Sequence, residues 1–596
     1  MKTAPKPLHF KLRLILCVFV IASCLLALHT AAFADDSGFC GADGDNLSWR
    51  FEKNALYITG KGPMADYSAA TPSPWQGKEI KMVHLSDGVS SVGNQAFYNC
   101  GSLEAVFYPD GLKQIGNRAF YNCRRLAALK LPEGLLSIGD SAFYNCKGLT
   151  DVLFPDSLAE IGNNAFTNCD QIVVLSLPAG LTSIGNSAFY RCSGLRILFP
   201  LPEGLLSIGD SAFALCSSLN KVSLPASVTQ IGVDAFSHCG AIEAFTVPPE
   251  NPAYASIDGV LFSKAEKSLL AYPGGSSRTV YSIPENILHI EKNAFSGYLV
   301  LRIFIPSTVT SIEEGTFRSG KFRFDVSPDN PCLAVQDEAL ISTAEHSLIA
   351  LPAGYFHSSF SVPDGIERIS EYAFYFCDSL EKISLPESLV SIGAFAFSNC
   401  SRLKQISLPD GITEIEPETF SSCYNLQSIE LPDSVIHIGD NAFYRCSSLS
   451  EIVLPTGIVS IARKAFQGCS GLTAIVLPDQ LECLSEGVFA ECEKLTQVTL
   501  PQSLKTIEAK AFSGCVKMTE MIIPDGVVSI GEQAFSKCDS LKSVSIPETV
   551  NSIGENAFPS SSRLLITVVE GSYAAKYCST NNLNYTYSDS LDWLNS

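Results

Sequence analysis

Charge is scarce in this sequence, and what there is has one prevailing sign. Charged residues make up 17% of the 596, and 41 Lys plus Arg stand against 61 Asp plus Glu, a formal net charge of −20. No basic cluster follows Arg13. Nucleic acid and anionic membrane surfaces are therefore poor partners, because both need a positive footprint. Histidine is almost as rare. His84, His238, His289, His346, His357 and His437 are scattered along the chain and suggest neither a metal site nor a general base by their spacing. The sequence has no GxSxG, HExxH, GxxxxGK[ST], GxGxxG or CxxC, so no local signature of a nucleophile elbow, zinc site, phosphate loop or dithiol is present. Asp43-Gly-Asp45-Asn46 lacks the further ligands of an EF-hand loop and is taken as a turn. Neither a cofactor nor a metal is expected. Beyond Leu28 no apolar run approaches the ~18 residues of a membrane span.

The chain has plenty to bury. Apolar residues are 46% and aromatics 10%, which excludes a disordered chain. At its start Lys2, Lys6, Lys11 and Arg13 precede an uncharged apolar stretch from Leu14 to Leu28, and Ala32-Phe33-Ala34 follows. Basic region, short apolar core and small-x-small site predict a signal peptide over residues 1–34, cut after Ala34. The alternative is a lipoprotein signal, with Ile21-Ala22-Ser23-Cys24 as the lipobox.

Internal repetition dominates the remainder. A Phe recurs at 97, 120, 143, 166, 189, 213, 236, 295, 317, 374, 397, 420, 443, 466, 489, 512, 535 and 558, and most of these intervals equal the step from Phe97 to Phe120. One coil reads Leu103-x-x-Val106-x-Tyr108-Pro109-x-x-Leu112-x-x-Ile115-Gly116-x-x-Ala119-Phe120-x-x-Cys123, which predicts one short strand closed by proline. A unit of that length cannot bury its apolar side alone, so coils must stack into a solenoid whose ends are capped. The two long intervals hold a duplicated block whose copies keep a constant offset: Asn251-Pro252 matches Asn330-Pro331, and Ser268-Leu269 matches Ser347-Leu348. Each copy is expected to add a β-hairpin projecting from the solenoid.

Repeat consensus, tryptophan-containing N-terminal segment, Asn-Pro insert and the closing Gly571-Ser572-Tyr573-Ala574 together resemble the BspA-like leucine-rich repeat proteins of bacterial cell surfaces. The resemblance covers nearly all of residues 40–587. It implies a leucine-rich repeat solenoid with short parallel strands, laid out as an N-terminal β-hairpin cap (35–79), repeats (80–244), the duplicated segment with two inserted hairpins (245–363), further repeats (364–563) and a C-terminal cap (564–596). It also implies secretion, adhesion and binding of proteins of a host or neighbouring cell, without naming a ligand.

Two columns of residues stand out within the repeat. Fifteen of the 21 cysteines lie three places after the Phe, among them Cys100, Cys123, Cys146, Cys169, Cys192, Cys400, Cys423 and Cys446. Stacked ~4.8 Å apart with parallel Cβ vectors, they are poorly placed for disulfides and are read as buried structural thiols. The residue after the Phe is tyrosine at 98, 121, 144 and 190, so Tyr98, Tyr121, Tyr144 and Tyr190 are expected to form an aromatic stripe that offers a ligand-binding surface. Rings packed as spacers along the coil edge are the competing reading. Three functions remain in order of preference: an exported, non-catalytic and monomeric protein that binds an extracellular protein or glycan; a structural envelope component without a ligand; and an enzyme.

Overall fold

The structure is a computed structural model. It describes residues 36–297, 300–318 and 320–588, so the predicted signal peptide lies outside the described residues. The chain divides into two compact units, Met1–Ala265 with Leu269–Ser277, and Glu266–Ser268 with Arg278–Ser596. Each is a stack of coils built on parallel strands.

The first unit opens with strand Ser37–Gly41, antiparallel to Gly44–Glu52, which forms a hairpin with Ala55–Gly60. Lys53 and Asn54 at its turn both adopt positive φ, 50° and 66°, the backbone of a two-residue turn matched to strand twist. The pattern then changes from antiparallel to parallel, because Ala55–Gly60 pairs in parallel with Met82–Leu85, which in turn pairs with Ala105–Phe107. Asn46 closes the Asp43 turn: its Oδ1 accepts from Asp43 N at 3.0 Å, and its Nδ2 donates to the carbonyls of Lys61 and Pro63.

Beyond this hairpin nearly every regular coil carries two short strands, one more than the sequence pattern predicts. The first, such as Ala128–Lys130, pairs with its successor Asp151–Leu153 and keeps only its middle residue buried. The second is a mere pair of residues and easily mistaken for turn. Even so, Gln114–Ile115, Ser137–Ile138 and Glu160–Ile161 pair in register within a sheet of eight strands that runs from Gly62–Pro63 to Gln230–Ile231.

Three columns fill the coils. The repeated Phe rings are fully or almost fully buried and stack 5.1–5.6 Å apart from Phe97 to Phe236. Trp75 covers the first of them: it is fully buried, lies 5.5 Å from Phe97, and donates from Nε1 to the Ala96 carbonyl at 2.7 Å. The ladder cysteines are free thiols. Nearly every buried Sγ donates to the Phe carbonyl of the preceding coil, as in Cys123 to Phe97 and Cys446 to Phe420; Cys377, which follows the insert, reaches the Leu351 and Pro352 carbonyls instead. The thiol thus satisfies a carbonyl that would otherwise share only the Cys amide. Burial pushes the thiols of Cys146, Cys192 and Cys239 up to about 12. The third column is glycine: a Cβ on Gly116 would lie 2.7 Å from Asn94 N of the preceding coil, so this corner stacks tightly only without a side chain.

The duplicated inserts are each held by an asparagine. Asn251 is fully buried; its Nδ2 donates to the Pro225 and Val228 carbonyls while its Oδ1 accepts from Ala253 and Tyr254 N. Asn330 repeats the arrangement on Pro306, Val309, Cys332 and Leu333. In the second unit the insert does not project as a free hairpin. Leu333–Gln336, Ala339–Ser342 and Ser347–Ala350 form an antiparallel meander whose last strand pairs in parallel with Arg368–Ile369. Ser347-Leu348 thereby serves as the second strand of a coil, and Leu340 and Leu348 are fully buried. Sheet pairing and burial outweigh solvation of a free hairpin.

From Phe374 to Phe558 the second unit stacks its Phe rings 4.9–5.6 Å apart. It closes with the helix Tyr573–Thr580, whose N-cap Ser572 accepts from Ala575 N, and a last strand Tyr585–Tyr587 parallel to Leu565–Val568. Tyr577 of this helix meets Phe558 edge-on and donates to the Gly554 carbonyl.

Candidate functional site

The turn that buries each Phe also sets what its neighbour does. Residues two before and two after the Phe adopt the left-handed conformation, as Arg118 and Asn122 do around Phe120 (φ 54° and 64°). Asparagine tolerates that geometry well, which accounts for Asn99, Asn122, Asn145 and Asn168 at equivalent places. Between Phe and Asn, the side chain on the outer lip of the turn meets its counterpart one coil on.

At Tyr98, Tyr121 and Tyr144 this produces a ladder of rings. Tyr98 and Tyr121 stack at 4.9 Å and 18°, and Tyr121 and Tyr144 at 4.7 Å and 2°. A carboxamide ladder runs beside it, Asn122 Nδ2 donating to Asn99 Oδ1 at 2.9 Å and Asn145 Nδ2 to Asn122 Oδ1 at 2.6 Å. Arg124 Nε donates to Asn122 Oδ1 at 2.7 Å. Burial raises the Tyr121 phenol above its ordinary range; Tyr144 and Tyr98 add to the effect and Arg118 opposes it.

The fourth tyrosine does not join. The rung after Tyr144 is Thr167, which is 3% exposed and donates from Oγ1 to the Ser187 carbonyl at 2.7 Å. Asn168 Nδ2 reaches the Tyr144 hydroxyl at 3.5 Å. Tyr190 therefore stands two rungs from Tyr144, and the stripe expected over four tyrosines has three. Face-to-face stacking covers the inner ring faces. What the ladder offers solvent is ring edges, phenol hydroxyls and carboxamides, a hydrogen-bonding surface.

Two outward surfaces escaped the sequence reading. On the first sheet of the first unit, Tyr57, His84 and Phe107 stack at 4.8 and 4.5 Å, with the Arg50 guanidinium 5.2 Å from the Tyr57 ring. In the second unit Val453, Val476 and Ile522 are 82%, 67% and 74% exposed. Both groups occupy the place just before the apolar residue that closes this side of the coil, as His84 before Leu85 and Val453 before Leu454, so comparing that place across all coils would have found them. A shallow groove of about 390 Å³ in the second unit is lined by Lys382, Gln405, Ser407 and Glu430, and Ser407 Oγ donates to Glu430 at 3.0 Å. Among the described residues no cluster of three or more His, Cys, Asp or Glu is arranged to hold a metal ion, and no helix is long and apolar enough to cross a membrane.

The model of the BspA type leucine-rich repeat region matches the chain in six copies, over residues 73–196, 137–268, 197–322, 270–343, 355–473 and 459–584. Among solved structures, the chain is similar to a leucine-rich cell surface protein of Faecalibacterium prausnitzii (23% identity, 89% of this chain and 96% of that one, TM-score 0.31). It is also similar to leucine-rich repeat proteins of Eubacterium ventriosum (20% identity, 84% and 95% covered, TM-score 0.31) and Bacteroides ovatus (22% identity, 88% and 99% covered, TM-score 0.29). No curated protein matches the sequence. With the family model spanning nearly every coil, this chain belongs to the BspA-type leucine-rich repeat proteins.

Proposed function

We propose that this chain is an exported, non-catalytic binding protein, and that a protein outside the cell docks on the ladder of Tyr98, Tyr121 and Tyr144. One observation carries the reading: the fold does not need rings there. The same place holds Thr167, Ser237, Ser398 and Ser421 in other coils, all at least nine-tenths buried, so a small hydroxyl residue completes the turn. Three successive tyrosines on the lip, with Tyr98 39% exposed, exceed what packing requires. Tyrosine combines area, few rotatable bonds and a hydroxyl, which suits it to recognition. A protein fits better than a glycan, because sugars stack on ring faces and the inner faces here are covered. The leader ending at Ala34 supports export.

The test is capture of extracellular proteins from host or neighbouring cells by the immobilised chain, followed by affinity measurement for those retained. Replacing Tyr98, Tyr121 and Tyr144 by Ser should weaken binding about tenfold or more, roughly 1.4 kcal/mol, with an unchanged circular dichroism spectrum. Equal affinity in that variant would retire the ladder as the site. Sequencing the N-terminus of the exported protein should return Asp35 first.

A further inference from the structure

We infer that the segment seated on the tyrosine ladder is an acidic peptide, its Asp and Glu carboxylates engaged by Arg118 and Arg124 while its backbone and apolar atoms lie on the ring edges. This inference rests on the docking role proposed above for the same turns. It starts from a local reversal of charge. The chain as a whole is at −20, yet the three turns bearing the ladder (93–102, 116–125 and 139–148) contain Arg118, Arg124, Arg125 and Lys147 against a single carboxylate, Asp140. That carboxylate is already engaged, since Asp140 Oδ1 accepts from Asn163 N at 2.7 Å. Lys147 lies 3.6 Å from Asp170, which leaves the arginines as the principal cations these turns offer to a ligand. Both Arg118 and Arg124 are exposed.

Position makes these charges part of the ladder rather than its background. Arg118 is close enough to Tyr121 to favour its ionised phenol. Arg124 is tied through Nε to Asn122 Oδ1, and Asn122 is itself bonded to Asn99 and Asn145. The tie holds the guanidinium beside the carboxamide row and leaves its two terminal nitrogens for a carboxylate, the fork geometry in which arginine binds that group best. Screening makes the local sign decisive: at physiological ionic strength the Debye length is about 8 Å, so acidic residues several coils away do little to repel a ligand here. Guanidinium, phenol and carboxamide groups on one edge are also the usual polar vocabulary of protein recognition.

The experiment uses the whole chain and three probes: a fluorescein-labelled peptide alternating Glu and Gly, a Lys–Gly peptide of equal length, and a heparin fragment. Fluorescence anisotropy should show the Glu peptide binding wild type in preference to the other two, with affinity falling as salt rises. An Arg118→Glu, Arg124→Glu variant should lose at least about tenfold. Failure of the Glu peptide to exceed the Lys peptide, undiminished binding after charge reversal, or tighter binding of heparin would each overturn the inference. The two proposals fail separately. If the tyrosine-to-serine variant loses its captured protein while charge reversal changes nothing, docking stands and the acidic partner falls. If charge reversal abolishes peptide binding while the serine variant keeps its captured protein, docking falls and an acidic-peptide site on the arginines remains. Circular dichroism of both variants separates misfolding from loss of contact, and Arg118→Lys, Arg124→Lys should restore much of the binding if charge rather than fold is at issue.

Discussion

The two units share a core and differ at their corners. Both stack phenylalanine rings at similar spacing, and in both a ladder of thiols donates to the Phe carbonyl of the coil before, with Cys377 turning to the Leu351 and Pro352 carbonyls. In the first unit glycine follows the second strand in seven successive coils, from Gly93 to Gly232. The residue after that glycine relays a hydrogen bond along the stack: Asp66 accepts from Asn94 N, Asn94 from Asn117, Asn117 from Asp140, and so on through Asn163, Asn186 and Asp210 to Val233 N, at 2.6–2.9 Å. The second sheet of that unit is unbroken. In the second unit the glycine place reads Glu291 and Glu313, then Ser370, Gly393, Glu416, Gly439, Ala462, Ser485, Glu508, Gly531 and Gly554. The relay survives there at Asp440 to Arg463 N, and Glu486 N reverses it by donating to Glu508. Its second sheet falls into separate runs. A shared core column is thus enough to keep coils stacked; the corner decides how closely they approach, and a Cβ there meets the backbone of the coil before it.

The shared core predicts the largest effect. Thiols of Cys146 and Cys192 in the first unit and of Cys469 and Cys538 in the second are pushed by burial from 9.0 to about 12. A thiol with a raised folded pKa contributes its stability in full below the unfolded value. Above it the unfolded chain releases a proton that the folded chain retains, so stability falls as pH rises from about 9 toward 12. Urea midpoints should be flat from neutral pH to about 8 and then drop steeply, in both units together. A unit that held its midpoint at pH 11 would show that its thiols are not buried as a column.

Next come the corners. A Cβ on Gly162 would lie 2.8 Å from Asp140 N and from Gly139 C, so Gly162→Ala should cost about 1–3 kcal/mol by overpacking. In the second unit Ala462→Gly should cost less, because that corner already accommodates a methyl group. No loss at Gly162→Ala, measured by hydrogen exchange of the flanking coils, would leave chain entropy as the only effect of glycine there, since without a clash the added methyl stabilises by narrowing the unfolded ensemble. The relay itself is worth less. Asn186→Ala removes the acceptor for Asp210 N and should cost about 0.5–1.5 kcal/mol. Glu532→Ala, at the equivalent place but with a carboxylate bonded to Gln533 in its own coil, should stay within about 0.5 kcal/mol. A loss at Glu532 matching that at Asn186 would remove the relay as the difference between the units.

These features were unequally legible in the sequence. Phe and Cys recur once per coil and announce the solenoid without any knowledge of geometry. The second strand does not, because Ser137-Ile138 is too short to alternate and its meaning lies in pairing with residues one coil away. The same blindness hid the first strand of the insert, Leu333–Gln336, and the pairing of Ser347-Leu348 with Arg368-Ile369, although Ser347-Leu348 copies the Ser-Ile of an ordinary coil. The relay was present in plain letters as Asn or Asp at 94, 117, 140, 163, 186 and 210; a consensus that wrote the place as variable concealed it. Tyr190 was separable from the ladder on sequence grounds too, since Thr167 intervenes. Which faces of the rings remain open was not, because that depends on a ring separation equal to the coil spacing.

The smallest expected effect sharpens the comparison most, because it separates what the turn needs from what its surface adds. Tyr121 sits between Tyr98 and Tyr144, and each stacked pair would contribute up to about 0.5–1.5 kcal/mol if it were buried. This ladder lies on an exposed lip, where replacing Tyr121 by Ser leaves a gap open to water rather than an enclosed cavity, and Ser421 fills the same place in the second unit while 4% exposed. Tyr121→Ser should therefore change global stability by no more than about 0.5 kcal/mol, less than Asn186→Ala in the same unit. A loss of about 2 kcal/mol or more, of the order expected for a buried ring, would make the ladder a packing element of the first unit, and the difference between the two surfaces would then be structural rather than functional.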